Sequence, residues 1–238
     1  DTGMEFTALG QVIVLGLVQV GGLGIMTFVA FLAVTSAESL PVPQMLAFRQ
    51  MVGARTPAVL KRQVWAIVLF TVLVEAAGAA CLYACLPPEQ DRLVKFGWSV
   101  FHSVSAFCNA GFSLFPDSLV QYRNNFSLNL IIALLIIAGG LGFVVINEVH
   151  DRCRNKKKSF CFNSRIVLWT TGLLLLGGTA LMFLLESGNA LAKFSRPEKI
   201  MTCAFRSVTC RTAGFNTLPL TDLSPATVLL FMFRMFVG

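Results

Sequence analysis

The chain has 238 residues, of which 55% are hydrophobic and only 13% charged, against the roughly one quarter charged that an ordinary globular domain carries. That balance excludes a water-soluble domain and marks an integral membrane protein. The net charge of +7 comes from basic residues in short loops beside apolar windows, a sign of topology and not of a nucleic-acid partner, and the seven scattered cysteines form neither a metal spacing nor a disulfide framework.

Asp1 follows no initiator Met, basic stretch or small-residue cleavage site, so the chain is expected to be an internal fragment. Its first uncharged window, residues 6–37, meets the roughly 20-residue requirement for crossing a ~30 Å hydrocarbon layer. Residues 1–36 are assigned to the second helix of a first repeat and 37–62 to a loop. Arg49, Arg55, Lys61 and Arg62 place that loop in the cytoplasm. A second window, 63–86, is interrupted only by Glu75, and Cys81 and Cys85 share one face of it in a packing role. Residues 96–116 then carry no charge yet are rich in Ser, Asn, His and Gly, too polar for lipid and too apolar for an ordinary loop. Such a segment is expected to re-enter the membrane as a short helix, 98–107, about 15 Å long and reaching about halfway across. Non-helical backbone at that depth needs protein or a water-filled cavity around it.

The next window, 124–147, closes a repeat spanning 63–150. The loop 151–165, with Arg152, Arg154, Lys156, Lys157, Lys158 and Arg165, is again cytoplasmic. Lys156 to Lys158 also suit anionic lipid or a cytosolic regulator. A last repeat, 166–238, contains the window 166–185, an outward segment 186–223, and a further apolar stretch from about residue 223. Two echoes tie these units together: the Ala-Gly-Phe triplets centred on Gly111 and Gly214, and the GGLG motifs at 21–24 and 139–142. The same separation applied upstream of Gly21 places another such turn before Asp1. The expected fold is all-α and membrane-integral, a serial repeat of helix, re-entrant half-helix with glycine turn, and helix.

A half-helix that ends in such a turn points the negative end of its dipole inward and offers peptide carbonyls to a cation. Glycine suits the turn because it has no side chain to restrict the backbone. The GGLG motifs are read as permitting close helix approach and are left out of the site.

"SAFCNAGF" at 105–112, "RTAGFNT" at 211–217, "QVGGLGIMTF" at 19–28 and "AGGLGF" at 138–143 resemble the KtrB-type membrane subunits of the Trk/Ktr/HKT superfamily of potassium transporters. The resemblance implies four helix–pore helix–helix repeats around one pore, about two of them covered here, each pore loop giving one filter strand with a single glycine. It implies that Asn109, Ala110, Gly111 and Phe112 form the second strand and Thr212, Ala213, Gly214 and Phe215 the third. K+ would be bound by the backbone carbonyls of Asn109, Ala110, Gly111, Thr212, Ala213 and Gly214. Asp1-Thr2-Gly3 looks like the stretch after the first strand, and the run containing Arg234 and Gly238 resembles the approach to the family's gate loop. Also implied are K+ as the transported ion with Na+ as an activator, no covalent cofactor, a homodimer in membrane lipid, a cytosolic KtrA-type nucleotide-binding ring, and a bacterial plasma (inner) membrane location.

Single polar residues leave alternatives open. Glu75, a carboxylate in mid-span, either binds a coupling cation or packs in hydrogen-bonded form. Arg234 either tunes cation passage near the gate or forms a structural salt bridge. Arg211 is expected to point away from the pore and brace its loop, and His102 to be a satisfied buried histidine. The rival functions are a secondary transporter that couples a solute to Na+ or H+ through Glu75, and an intramembrane enzyme. The latter would need a nucleophile beside a base, for which His102 and Cys108 are the one candidate pair.

Overall fold

The structure, a computed structural model, describes residues 2–24, 57–87, 89, 91–154, 160–211, 213–219, 221 and 223–237. These residues form α1 (Thr2–Glu5), α2 (Ala8–Gly22), α3 (Pro57–Cys85), α4 (Arg92–Phe107), α5 (Phe126–Arg154), α6 (Phe162–Glu186), α7 (Arg196–Thr209) and α8 (Pro225–Val237), with a 3-10 turn at Val120–Tyr122 and no strand among them. The chain therefore runs twice through the same plan, long helix, shorter helix, helix, as α3–α4–α5 and α6–α7–α8.

Among the described residues, three segments are long and apolar enough to cross a bilayer, Val64–Cys85, Phe126–Phe143 and Phe162–Glu186; α2 and α8 are shorter apolar helices. Their exposed sides carry Leu69 and Leu73 on α3, Leu134 on α5, and Trp169, Leu173 and Leu176 on α6. Such faces would drive aggregation in water and are what lipid-facing helices present. The half-helices have the opposite distribution. The last two turns of α4 bury Ser99, His102, Ser103 and Ser105, and those of α7 bury Thr202, Arg206, Ser207 and Thr209. Polar groups collect inside because the half-helices are surrounded by protein, which can satisfy them.

α4 packs against α2, α3 and α5, α7 against α5 and α6, and α8 against α6. Phe205, Val208 and Phe215 of the second unit join Leu82, Leu86, Phe115, Leu128 and Ile132 of the first in one core. The two units are thereby welded beside their glycine turns. A second core beneath α7 collects Met182, Leu191, Cys203, Leu218 and Phe231.

Helix ends follow local chemistry. The Thr7 hydroxyl accepts the Gly10 N–H at 3.3 Å at the start of α2. At the start of α7, the Glu198 carboxylate accepts the Ser195 N–H at 2.9 Å and O–H at 2.8 Å, bonds that hold it below the usual carboxylate range.

Two expectations are corrected. The first half-helix begins at Arg92, not at residue 98; its charged first turn stands over the outer end of α3, with the Lys95 ammonium 4.7 Å above the Tyr83 ring. The window 124–147 is not one continuous helix either, because Gly142 breaks α5 with φ 76° and ψ 156°. The corresponding Gly24 has φ 78° just beyond the end of α2. Only glycine adopts this conformation freely, so the fourth residue of each GGLG motif is a helix breaker. Most of the loop 37–62, the stretch 155–159 with Lys156, Lys157 and Lys158, and Asp1 lie outside the described residues, as do Thr212 and Gly238.

Candidate functional site

Both half-helices unwind into their turns through the same use of the last-turn carbonyls. After α4, the N–H groups of Cys108, Asn109 and Ala110 donate to Val104, Ala106 and Ser105 at 2.9, 3.1 and 2.9 Å. After α7, those of Cys210 and Arg211 donate to Arg206 and Val208 at 2.9 and 3.2 Å, and those of Ala213 and Gly214 both reach the Thr209 carbonyl, at 3.0 and 3.2 Å. The chain then turns at Asn109 (φ 54°) and Gly111 (φ 71°), and at Gly214 (φ 78°). Beyond each glycine a hydroxyl from the last turn of the half-helix catches the next carbonyl: Ser105 donates to Phe112 at 2.8 Å and Thr209 to Phe215 at 3.0 Å.

The two glycines meet. A Cβ placed on Gly111 would overlap the Ala213 carbonyl oxygen and stand 3.2 Å from the Gly214 Cα, and one on Gly214 would stand 3.9 Å from the Gly111 Cα. No amide N–H of a described residue donates to the carbonyls of Asn109, Ala110, Gly111, Ala213 or Gly214. Carbonyls left without an amide partner from the described residues, at the ends of two half-helix dipoles, are the kind of acceptor that suits a cation. The phenylalanines diverge: Phe215 is 0% exposed in the shared core, whereas Phe112 is 45% exposed. Thr2 is buried and Gly3 lies against the backbone of Leu114, so the start of the chain packs on the segment that leaves the first turn.

Behind the Gly111 turn, His102 is fully engaged. Its Nδ1 lies 2.7 Å from the Trp98 carbonyl, which can only accept, so Nδ1 carries the proton. Its Nε2 then accepts the Ser113 O–H at 3.0 Å and the Leu114 N–H at 3.4 Å. The ring stacks on Phe115 at 4.4 Å. Cys108 instead points its thiol at Glu75 Oε1, 3.8 Å away, so His102 and Cys108 do not form a nucleophile–base pair.

Glu75 is buried where three elements meet. Its carboxylate receives the Cys108 thiol and a hydrogen bond from the Gln19 side chain of α2, while its own peptide oxygen accepts the Ser103 hydroxyl at 2.7 Å. Gly22 lies against the Cys108 side chain, where any Cβ would collide, and Gly139 lies likewise against the Phe107 carbonyl. The GGLG motifs thus do permit close approach, in addition to breaking their helices.

Arg234 is buried between α6 and α7. Its guanidinium donates to Ser207 Oγ at 2.9 Å, the Ser207 carbonyl at 3.1 Å and the Leu174 carbonyl at 2.7 Å, and it fills the notch left by Gly178. Neutral oxygens take the place of the salt bridge considered from sequence; among the described residues no carboxylate pairs with it. The Arg211 guanidinium lies beside Gly140 of α5, its NH1 3.6 Å from where a Cβ would stand.

Three groups were not singled out from sequence. Glu186, fully buried at the end of α6, accepts from the Ser224 N–H at 2.9 Å and O–H at 2.7 Å, from the Thr227 O–H at 2.5 Å, and from Asn189 Nδ2 and the Ala190 N–H at 3.1 and 3.3 Å. Arg206 on α7 donates to Asn216 Oδ1 at 2.5 Å and the Leu218 carbonyl at 2.6 Å. Asn216 in turn contacts the first unit through Ser118 and Leu119. A charged residue inside a segment expected to re-enter the membrane, Arg206, was the available signal.

The profile of the cation transport protein family TrkH matches residues 5–238. Among known proteins, the chain is 34% identical to Ktr system potassium uptake protein B of Bacillus subtilis and 36% identical to that of Vibrio alginolyticus. It is also 34% identical to the potassium/sodium uptake protein NtpJ of Enterococcus hirae. Each match covers 100% of this chain but only 54%, 53% and 52% of the relative, so the chain spans about half their length. The fold is that of the potassium transporter TrkH from Vibrio parahaemolyticus, with a TM-score of 0.64 at 20% identity over 94% of this chain and 43% of that one.

Proposed function

Because the chain belongs to the TrkH family of cation transport proteins, we propose that it is part of the ion-translocating subunit of a Ktr/Trk-type potassium uptake system. K+ sheds its water between the glycine turns and passes down its electrochemical gradient, with peptide oxygens of Asn109, Ala110, Gly111, Ala213 and Gly214, and of Thr212, replacing hydration. No covalent step is involved. The observation that carries this reading is the contact between Gly111 and Gly214, two left-handed glycines from separate units, with carbonyls around them that accept no amide N–H of a described residue. The relatives named as Ktr potassium uptake proteins support K+ as the ion, and the potassium/sodium uptake relative leaves room for Na+ as an activator. The relatives, named as parts of Ktr systems in bacteria, support a bacterial membrane location and a multi-component system with a regulatory partner; a homodimer and a cytosolic KtrA-type nucleotide-binding ring are what the family resemblance adds to this reading.

Radiolabelled Rb+ flux through the full-length protein in liposomes tests the proposal. Saturable Rb+ uptake that K+ competes away and that needs no co-transported solute is the expected result. A protein that moves Rb+ only together with an organic solute, or not at all, would return Glu75 to consideration as a coupling site.

A further inference from the structure

The two glycine turns come from different units, so something must hold their separation. A ring of carbonyls distinguishes cations only if it does not collapse onto the smaller ion or spread away from the larger, whether its selectivity is ascribed to cavity size or to the number and field of its dipoles. On the core side, Phe215 sits in the first unit's hydrophobic cluster. Beyond the turns the two units are joined by hydrogen bonds centred on Asn216, two residues past Gly214. The Asn216 N–H donates to Ser118 Oγ at 3.1 Å and the Asn216 carbonyl accepts the Leu119 N–H at 2.9 Å. Its side-chain oxygen accepts Arg206 NH1 at 2.5 Å, and the same guanidinium donates to the Leu218 carbonyl at 2.6 Å.

Each participant is fixed for this purpose. Arg206 is 2% exposed, stands on the half-helix that feeds the turn, and pairs with no carboxylate among the described residues; its guanidinium lies over the Phe231 ring, 5.7 Å from the centroid, and its hydrogen bonds go to these two oxygens. Ser118 holds φ 56°, a conformation that non-glycine residues occupy only where the surroundings impose it. Leu119 is fully buried and anchors the other side of the pair. The charged donor makes the Arg206–Asn216 bond the strong one of the set.

We propose that Asn216 is a positioning residue for ion selection. Held by Arg206 from behind, it clasps the outer end of the Gly214 turn to Ser118–Leu119 beyond the Gly111 turn and so sets the gap in which the cation is coordinated. The inference rests on the transport reading above and adds to it the residues that tune K+ against Na+.

The test is the Rb+/Na+ flux ratio of the full-length protein in liposomes, per correctly folded molecule, for wild type, Asn216→Leu, Asn216→Asp, Ser118→Ala and Asn216→Leu with Ser118→Ala. Asn216→Leu removes the acceptor for Arg206 and is expected to lower the ratio roughly tenfold, the equivalent of about 1.4 kcal/mol. Asn216→Asp keeps an acceptor facing Arg206 and is expected to stay close to wild type, which separates positioning from bulk packing. Ser118→Ala deletes a single hydroxyl at a loop position. It is expected to lower the ratio by a smaller factor, and the double variant to be no worse than Asn216→Leu. If Asn216→Leu does not fold, Ser118→Ala alone decides. A potassium-selective wild type with an unchanged ratio in Ser118→Ala and Asn216→Leu, or an Asn216→Asp as unselective as Asn216→Leu, overturns this inference alone. A wild type without potassium-selective flux overturns the transport reading and this one with it.

Discussion

Behind the Gly111 turn stands a neutral imidazole; behind the Gly214 turn stands a guanidinium. His102 and Arg206 occupy the same place on their half-helices, each immediately before a serine, and both reach the residue two past the turn glycine: His102 takes Ser113 and Arg206 takes Asn216. The serines that follow match as well. Ser103 donates to the Glu75 carbonyl on α3 and Ser207 to the Leu175 carbonyl on α6, both at 2.7 Å. Three residues further along each long helix is a glycine notch. Gly78 receives the Leu135 side chain of α5, whereas Gly178 receives the Arg234 guanidinium of α8. At the outer ends the Asn125 amide donates to the Cys85 carbonyl at 3.2 Å in the first unit, and Ser224 donates to the Glu186 carboxylate at 2.7 Å in the second. One backbone plan is therefore held by mostly neutral contacts in one unit and by buried charges in the other. The turn geometry is what the two units share, and the chemistry that secures it differs between them.

The largest expected effect is at the turns themselves, and it is unequal. Gly111→Ser adds a side chain where the Ala213 carbonyl already lies, at φ 71°. It is expected to cut Rb+ flux per molecule by roughly tenfold or more, or to admit Na+ at a similar factor, a barrier change of at least about 1.4 kcal/mol. Gly214→Ala meets nothing closer than the Gly111 Cα at 3.9 Å, so it bears the left-handed backbone cost alone, about 1–3 kcal/mol of stability, and should keep more flux. Equal losses in the two variants would break the comparison.

Next come the outer ties. Glu186→Ala strands the donors of Ser224, Thr227 and Ala190 and should lower the stability of the purified protein by about 3–5 kcal/mol. Asn125→Ala, at the neutral counterpart, should cost about 1 kcal/mol. Thermal unfolding in detergent compares them, and a reversed order would show that the charged tie is not the stronger one. The smallest effect is expected at the notches. Arg234→Leu copies Leu135 of the other unit, and its former acceptors keep their own bonds, since Ser207 Oγ donates to Leu175; the change should stay within about 1 kcal/mol.

Much of this plan could be read from residues alone because it rests on short-range signals. Apolar windows, one of them interrupted by Glu75, marked the three segments long enough to cross a bilayer among the described residues, and the repeated Ala-Gly-Phe triplets marked turns whose glycines do take left-handed conformations. What escaped was either masked by composition or distant in sequence. Arg92 and Lys95 made the first turn of α4 read as loop, although the charges sit at its outer end. The Gly142 break hid inside an apolar window because hydropathy carries no backbone information. Partners for Glu75 and Arg234 could not be named, since Gln19, Cys108, Ser207 and Leu174 come from other elements. Asn216 and Ser118 lie 98 residues apart, and no periodicity connects them. The unlike fates of Phe112 and Phe215, one exposed and one in the shared core, follow from which neighbour each turn faces.

The claim beneath all of this is that peptide oxygens from the Gly111 and Gly214 turns coordinate one and the same ion. Anomalous diffraction from crystals of the full-length protein grown in Rb+ measures that directly. The account predicts a Rb+ peak in direct coordination with carbonyl oxygens of both turns, lost when Rb+ is exchanged for Na+. A Rb+ site elsewhere in the molecule, with the space between the two glycines empty, would contradict it.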